Sequence, residues 1–174
     1  INNKILYRLN MWDQINQEAG LLYNNCSKNK TFITTAESCT GGMIASSIVS
    51  VSGSSNIFKS SFVTYSNQMK TKLLKIPSEI IEINGAVSEV VAKNMAMNIL
   101  DILESDISIA VTGIAGPGGG SKDKPVGLVW IGIGTQSSTI TKKYLFNGNR
   151  LEIRQKTTLE SLKLANSVIS NKKI

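Results

Sequence analysis

The chain contains no histidine among its 174 residues. This absence excludes a serine or cysteine nucleophile that histidine activates, and it excludes metal sites built on imidazole ligands. A general base in this protein must therefore be a lysine, a carboxylate or a tyrosine.

Cysteines and long apolar runs are also scarce. The two cysteines, Cys26 and Cys39, are too few for a disulfide scaffold or a four-ligand zinc site. Apolar runs such as 107–111 and 126–133 are too short to span a bilayer, and the first residues lack the apolar core of a secretory signal. We therefore expect a cytoplasmic protein with no membrane contact.

Acidic residues are fewer than basic ones, and aromatic residues are few. The chain has 19 basic and 12 acidic residues, and aromatics make up 6%. The net charge of +7 suits an anionic partner, either a phosphate-bearing small molecule or a nucleic acid. Because the lysines are scattered without interleaved aromatics, we expect no nucleic-acid partner.

Hydrophobic residues make up 41% of the chain, enough for one sizeable core. Apolar residues at helical spacing predict an opening helix with this buried stripe: Ile5, Leu9, Trp12, Ile15, Ala19 and Leu22. The β-branched segments TFITTAES, IFKSSFVTYS and DISIAVTG predict three strands, with helices between them.

The second half of the pattern completes the fold. One helix should begin near the N-cap Ser66 and end at Pro77. The segments LVWIGIGT and TITKKYLF predict a hairpin, and a last helix should run from Asn149 to about Ile169. This order predicts a single domain over residues 1–174, an α/β/α sandwich of three layers with a mixed sheet.

Three loops that follow predicted strands are polar or rich in glycine: ESCTGG, YSNQMK and TGIAGPGGG. Ligands of open α/β sheets bind at the carboxyl ends of the strands. We therefore expect the three loops to meet at one pocket.

Ser38 lies where the first strand gives way to a helix. Its hydroxyl can face the pocket, and the amides of Thr40, Gly41 and Gly42 could hold an oxyanion or a phosphate. Capping of the helix by Ser38 or Thr40 explains the same residues. The neighbouring Cys39 is either a rival nucleophile or a small buried residue.

Lys70 is the candidate activator of Ser38. A lysine that is partly desolvated in a pocket can act as a base, because burial disfavours the ammonium form. The alternative is an exposed helix lysine like Lys72 and Lys75. The glycine-rich loop 112–120 is a third candidate site, because its backbone amides could approach a phosphate. It lacks the Gly-Lys-Ser/Thr ending of a Walker loop, and the alternative is a plain surface turn.

Five collinear segments together resemble the C-terminal domain of the CinA family, which also occurs alone as a nicotinamide mononucleotide deamidase. They are TTAESCTGGMIASSIVSVSGSSNIF, FVTYSNQMK, GAVSE, TGIAGPGGGSKDKPVG and FNGNR. The resemblance implies hydrolysis of the carboxamide of nicotinamide mononucleotide, with no metal or other cofactor. It also implies a homodimer or a larger homo-oligomer.

The resemblance carries site residues with it. The family's catalytic serine, lysine and arginine fall on Ser38, Lys70 and Arg150. It implies Tyr65 as a pocket residue. The backbone amides of Thr40, Gly41 and Gly42 would hold the oxyanion, and Thr112 and Gly113 would line the phosphate or ribose side of the substrate. Gly118 and Asn149 stand where the family commonly has acidic residues, and we expect them to affect affinity or loop order before chemistry.

Two other functions compete with this one. A lone domain of this kind could have kept the pocket as a non-catalytic nucleotide-binding module, although the pairing of Ser38 with Lys70 favours an enzyme. A basic DNA-binding protein linked to competence or damage would suit the isoelectric point of about 9.5. The chain has no nucleic-acid motif to support it.

Overall fold

The computed structural model describes residues 10–171, which form six helices and five strands. In chain order they are α1 (Met11–Asn29), β1 (Ile33–Glu37), α2 (Met43–Val49), β2 (Phe58–Val63), α3 (Asn67–Leu74), α4 (Ser78–Asn84), α5 (Glu89–Ile102), β3 (Ile107–Gly113), β4 (Leu128–Thr135), β5 (Ser138–Leu145) and α6 (Arg150–Asn171). A short 3₁₀ turn, Ser54–Asn56, precedes β2.

The five strands form one sheet in the order β2-β1-β3-β4-β5. The first three of these run parallel, with Ala36 of β1 paired to Phe62 of β2 and to Ala110 of β3. The strands β4 and β5 form an antiparallel hairpin on the edge of β3. The carboxyl ends of β1, β2 and β3 therefore lie side by side.

Helices cover both faces of this sheet. On one face α1, α2 and α6 bury large aliphatic side chains against Ile109 and Val111 of β3. On the other face α3, α4 and α5 pack on small residues such as Ala36 and Ala110. The predicted three-layer sandwich with a mixed sheet is confirmed.

Small residues on β4 let α5 approach the sheet closely. A Cβ at Gly132 would lie 2.8 Å from the carbonyl oxygen of Ala92, and one at Gly134 would lie 3.1 Å from that of Ala96. The first distance is shorter than real Cβ contacts and the second is tighter than most of them, so glycine lets the helix backbone cross the strand at this separation. The Ser108 hydroxyl uses the same closeness and donates to the Ala96 carbonyl at 2.6 Å.

The first helix differs from its prediction in one residue. The described helix begins at Met11, after a capping box between Asn10 and Asp13. Ile15, Ala19 and Leu22 are buried as predicted. Trp12, expected in the buried stripe, is 43% exposed because it lies in the first turn, beside the core. The predicted stripe residues Ile5 and Leu9 lie outside the described residues.

The prediction that Pro77 ends the third helix was wrong. That helix ends at Leu74, where Lys75 takes a left-handed conformation at the C-cap. Pro77 instead precedes α4, a separate seven-residue helix that the sequence pattern did not predict. A proline is well tolerated at a helix start because its missing N–H would have no partner there.

Candidate active site

The three predicted loops meet at the carboxyl ends of β1, β2 and β3. They surround a cleft of about 160 Å³. The cleft is lined by Ser38, Cys39, Tyr65, Asn67, Lys70, Ala86, Val87, Thr112, Gly113, Ala115 and Arg150. A larger cavity, about 340 Å³, lies at the opposite end of the sheet, between α5 and the β4–β5 hairpin, and contains none of these residues.

Ser38 and Lys70 form a hydrogen-bonded pair at the base of this cleft. The Lys70 Nζ lies 3.0 Å from the Ser38 Oγ, and it also donates to the carbonyl oxygen of Thr64 at 2.8 Å. The side chain comes from α3, one turn after the helix starts at its N-cap Ser66. Because β2 and β1 are neighbours, this turn brings the amine to the serine across the sheet edge.

Burial makes the Lys70 ammonium lose its proton more readily than an exposed lysine does. Only 1% of the residue is exposed, and burial lowers the pKa of its ammonium from 10.5 to about 8, against a smaller opposing effect of Cys39. Within residues 10–171 no carboxylate accepts from its Nζ, whose bonds go to Ser38 and to the carbonyls of Thr64 and Tyr65. A lysine with a lowered pKa and a hydroxyl within reach has the properties of a general base.

The turn after β1 is organised by Glu37, which the sequence analysis did not identify. This fully buried carboxylate accepts the amides of Gly42, Ile44 and Ala45 at 2.8–3.2 Å. It also accepts the Thr40 hydroxyl at 2.6 Å. An anion at the start of α2 satisfies the free amides of the helix and suits its positive end.

The expected role of the Gly41 and Gly42 amides does not fit these contacts. The Gly42 N–H is held by Glu37, and the Gly41 N–H donates to the Ser38 carbonyl at 3.1 Å. Neither is therefore available to an oxyanion. Both glycines have positive φ angles, 61° and 91°, so their place in the turn is conformational.

A second unpredicted residue, Arg154, reaches the same turn from α6. Its Nε and Nη2 donate to the Thr40 carbonyl at 3.2 and 2.6 Å. Arg154 lies four positions after Arg150, so both side chains project from one side of the helix. This spacing within FNGNRLEIR was the sequence signal that could have identified it.

Cys39 packs beneath the cleft. A Cβ on Gly113 would lie 3.1 Å from its Sγ, so Gly113 gives the thiol space. Burial raises the pKa of the Cys39 thiol to about 12. The thiolate is the nucleophilic form of cysteine, so this environment favours the small buried residue over the rival nucleophile.

Arg150 and Tyr65 form the outer wall of the cleft. The Arg150 Nη2 donates to the Tyr65 hydroxyl at 2.9 Å, and Nη1 donates to the Gly116 carbonyl at 2.8 Å. Both residues are exposed. Arg150 therefore connects the loop after β2 with the loop after β3, and its guanidinium stays accessible to an anion.

Thr112 closes the inner side. Its hydroxyl donates to the Ala86 carbonyl at 2.8 Å, which fixes the segment before α5 against the cleft.

The two residues that depart from the family pattern, Asn149 and Gly118, lie in different parts of the structure. Asn149 caps α6 through a reciprocal pair with Glu152, and the space around Gly118 is open.

Residues 10–171 contain neither a metal-ligand cluster nor a membrane-spanning helix. No cluster of three or more histidine, cysteine, aspartate or glutamate side chains there could hold a metal ion. Within the same range, no helix has the length and apolar character needed to cross a membrane.

Comparison with curated proteins gives relatives of one kind. A CinA-like protein from Petrotoga mobilis is 47% identical over 137 residues, which are 79% of this chain and 34% of that protein. A putative competence-damage inducible protein from Caldicellulosiruptor bescii is 44% identical over 79% of this chain and 34% of its own length. The chain thus spans about a third of the length of the curated relatives it matches.

Solved structures agree with the sequence relatives. The competence/damage inducible protein CihA from Agrobacterium tumefaciens superposes with a TM-score of 0.88 at 34% identity, covering 91% of this chain and 96% of that one. A competence-damaged protein superfamily member from Escherichia coli gives 0.85 at 30% identity, covering 98% and 99%. The family model described as the CinA C-terminal domain matches residues 16–169. On these matches, the chain belongs to the CinA C-terminal domain family.

Proposed function

We propose that the chain is an amidohydrolase that converts nicotinamide mononucleotide to nicotinic acid mononucleotide and ammonia. The observation that carries the proposal is the buried Lys70 amine, which lies 3.0 Å from the Ser38 hydroxyl and has no carboxylate partner in the described part of the chain. The pair supports the reaction class, which is acyl transfer through serine. The choice of substrate rests on the family resemblance.

In the first half of the reaction, neutral Lys70 takes the proton of the Ser38 hydroxyl as Oγ bonds to the carboxamide carbon. The resulting tetrahedral intermediate breaks its C–N bond, and the Lys70 ammonium gives the proton to the leaving nitrogen, which departs as ammonia. In the second half, Lys70 takes a proton from water as the water attacks the acyl-serine. The Ser38 oxygen leaves with that proton, which restores the starting pair.

The dimensions of the cleft fit a bound ring better than a whole nucleotide. Its volume of about 160 Å³ is below the roughly 300 Å³ at which typical ligand pockets begin. The carboxamide ring would therefore enter beside Ser38, with the ribose and phosphate along the outer wall at Tyr65 and Arg150. The positive charge of Arg150 suits the phosphate.

The test is ammonia release from nicotinamide mononucleotide without added metal. We expect turnover by the unmodified chain and a loss of about a thousandfold or more in Ser38→Ala and in Lys70→Ala. Matched controls are Ser46→Ala on α2 and Lys72→Ala on α3, both exposed, which should retain activity.

Two outcomes would contradict the proposal. An unmodified chain that binds the nucleotide and releases no ammonia would be a non-catalytic nucleotide-binding module. Undiminished activity in Ser38→Ala would remove the acyl-serine and point to an activated water. The homodimer or larger assembly implied by the resemblance stays a prediction, and sedimentation of the active chain tests it.

A further inference from the structure

The turn after β1 contains a chain of peptide hydrogen bonds that begins at a guanidinium and ends beside the nucleophile. Arg154 donates twice to the Thr40 carbonyl. The other end of that peptide group is the Gly41 N–H, which donates to the Ser38 carbonyl at 3.1 Å. The peptide group of Ser38 carries, at its own other end, the N–H of Cys39.

The Cys39 N–H is the last donor in this series of hydrogen-bonded peptide groups. Among residues 10–171 it donates to no other residue. Ser38 and Cys39 both line the cleft. The neighbouring amides at Gly42, Ile44 and Ala45 are occupied by Glu37.

Hydrogen bonds in such a chain strengthen one another. A peptide carbonyl that accepts a bond makes the N–H of the same peptide group a stronger donor, and low polarity around the chain increases the effect. The first donor here is a permanent cation, and Ser38, Cys39 and Thr40 are all buried. The charge of Arg154 therefore polarises the Cys39 amide through two peptide groups.

We infer that the Cys39 amide is an oxyanion donor of the site, and that Arg154 is a positioning residue that orients and polarises it. The inference rests on the proposed function, since an oxyanion forms only if Ser38 attacks a carbonyl. As the substrate oxygen gains charge, it accepts a hydrogen bond from this N–H. Arg154 does not touch the substrate in this scheme.

The decisive variants are Arg154→Met, which removes the cation, and Arg154→Lys, which keeps a charge but loses the two-point contact. Loss of one oxyanion donor lowers kcat about a hundredfold to a thousandfold, and here the donor remains. We therefore expect Arg154→Met to lower kcat about tenfold to a hundredfold. KM should change less than twofold, and the pH at half-maximal rate should not move. Arg154→Lys should recover part of the loss.

Lys163→Met is the matched control, because Lys163 is an exposed cation on the same helix and pairs with Glu160. It should leave kcat and KM unchanged. Circular dichroism checks that each variant is folded; if Arg154→Met is not, the intermediate kcat of Arg154→Lys at unchanged KM decides. An unchanged kcat, or a loss confined to KM, would overturn the inference.

A second readout separates this inference from the proposed substrate. Acetylation of Ser38 by p-nitrophenyl acetate, followed by mass spectrometry, also passes through an oxyanion but needs no nucleotide. If the unmodified chain is acetylated and releases no ammonia, the proposed substrate is wrong and the Arg154 variants are judged on acetylation rate. If Ser38 is neither acetylated nor active, both proposals fail.

Discussion

The two walls of the cleft differ in burial and in what holds them. On the inner wall Ser38 and Lys70 are 8% and 1% exposed, and their neighbours are fixed by hydrogen bonds within the protein. On the outer wall Tyr65 is 61% exposed, and Arg150 bonds to it at the surface. The inner wall has one geometry imposed by packing, whereas the outer wall can adjust to a ligand.

This difference implies a division of tasks. Attack on a carboxamide needs atoms held in one arrangement, which buried and fully bonded groups provide. Recognition of a charged, flexible nucleotide tolerates side chains that exchange water for ligand. Changes on the inner wall should therefore alter kcat and stability together, and changes on the outer wall should alter KM alone.

Apart from Ser38→Ala and Lys70→Ala, the largest effect is expected for Glu37→Gln. The glutamine amide nitrogen would face N–H groups whose hydrogen bonds the carboxylate now accepts. Buried donors would then face each other without an acceptor. We expect unfolding free energy to fall by about 3 kcal/mol and kcat by at least about a hundredfold. Urea titration and ammonia release measure the two losses, and a loss of only one of them would contradict the division of tasks.

The next effect concerns the charge of Lys70. Its folded pKa of about 8 lies below its ordinary value of 10.5, so the folded state is penalised below pH 8, where the amine is charged in both states. Between pH 8 and 10.5 the folded protein releases the proton and the penalty disappears. Relative to Lys70→Met, the unmodified chain should gain up to about 3 kcal/mol of stability across this window.

Urea denaturation of both chains from pH 7 to 10 measures this gain. The buried thiol of Cys39 acts in the opposite direction, because its pKa is raised to about 12 and stability falls above pH 9. The burial that causes most of this effect is common to both chains, so most of it cancels in the difference. The activity of the unmodified chain should rise with pH, with a midpoint near 8. Parallel stability curves for the two chains would contradict a buried, weakly basic lysine.

A smaller effect is expected on the outer wall. Arg150→Met removes the accessible cation, and Tyr65→Phe removes the hydroxyl that Arg150 contacts. We expect KM for nicotinamide mononucleotide to rise about tenfold in the first and about threefold in the second, with kcat and the melting temperature nearly unchanged. Steady-state kinetics decides, and a loss of kcat at constant KM would place Arg150 in the chemistry.

The smallest effect concerns a buried hydroxyl behind the inner wall that does not contribute to stability. The Thr64 hydroxyl is buried and has no hydrogen-bond partner among the described residues. Thr64→Val should therefore be neutral or stabilising by up to about 1 kcal/mol. Its control, Thr34→Val, deletes a hydroxyl that donates to the Ser60 carbonyl at 2.7 Å and should destabilise by about 1 kcal/mol. Equal responses in thermal melts would contradict the distinction.

Much of the fold was predictable from local signals. The strands were visible as β-branched runs, and the meeting of three loops followed from the parallel arrangement that α/β alternation implies. The helix α4 was missed because seven residues between Pro77 and Gly85 are too few to show a period. Trp12 was misplaced because periodicity assigns a face of a helix but not how far the core extends along it.

The site was less predictable because its contacts join distant parts of the chain. The approach of Lys70 to Ser38 requires two loops 32 residues apart, and motif resemblance supplied it. The contact of Arg154 with Thr40 spans 114 residues, beyond any local pattern. The role of Glu37 was hidden for another reason: an acidic residue inside a β-branched run gives no sign that its carboxylate turns toward a helix start.

The position of α6 in the chain gives the site an order of assembly. Ser38, Lys70 and Thr112 belong to segments that precede the β4–β5 hairpin, whereas Arg150 and Arg154 belong to the last helix described. During synthesis the proposed nucleophile and its base are therefore made before either arginine that contacts their loops. A ribosome-bound chain that stops before residue 150 has the reacting atoms but cannot hold the Thr40 carbonyl, so full activity should begin only when α6 docks against α1.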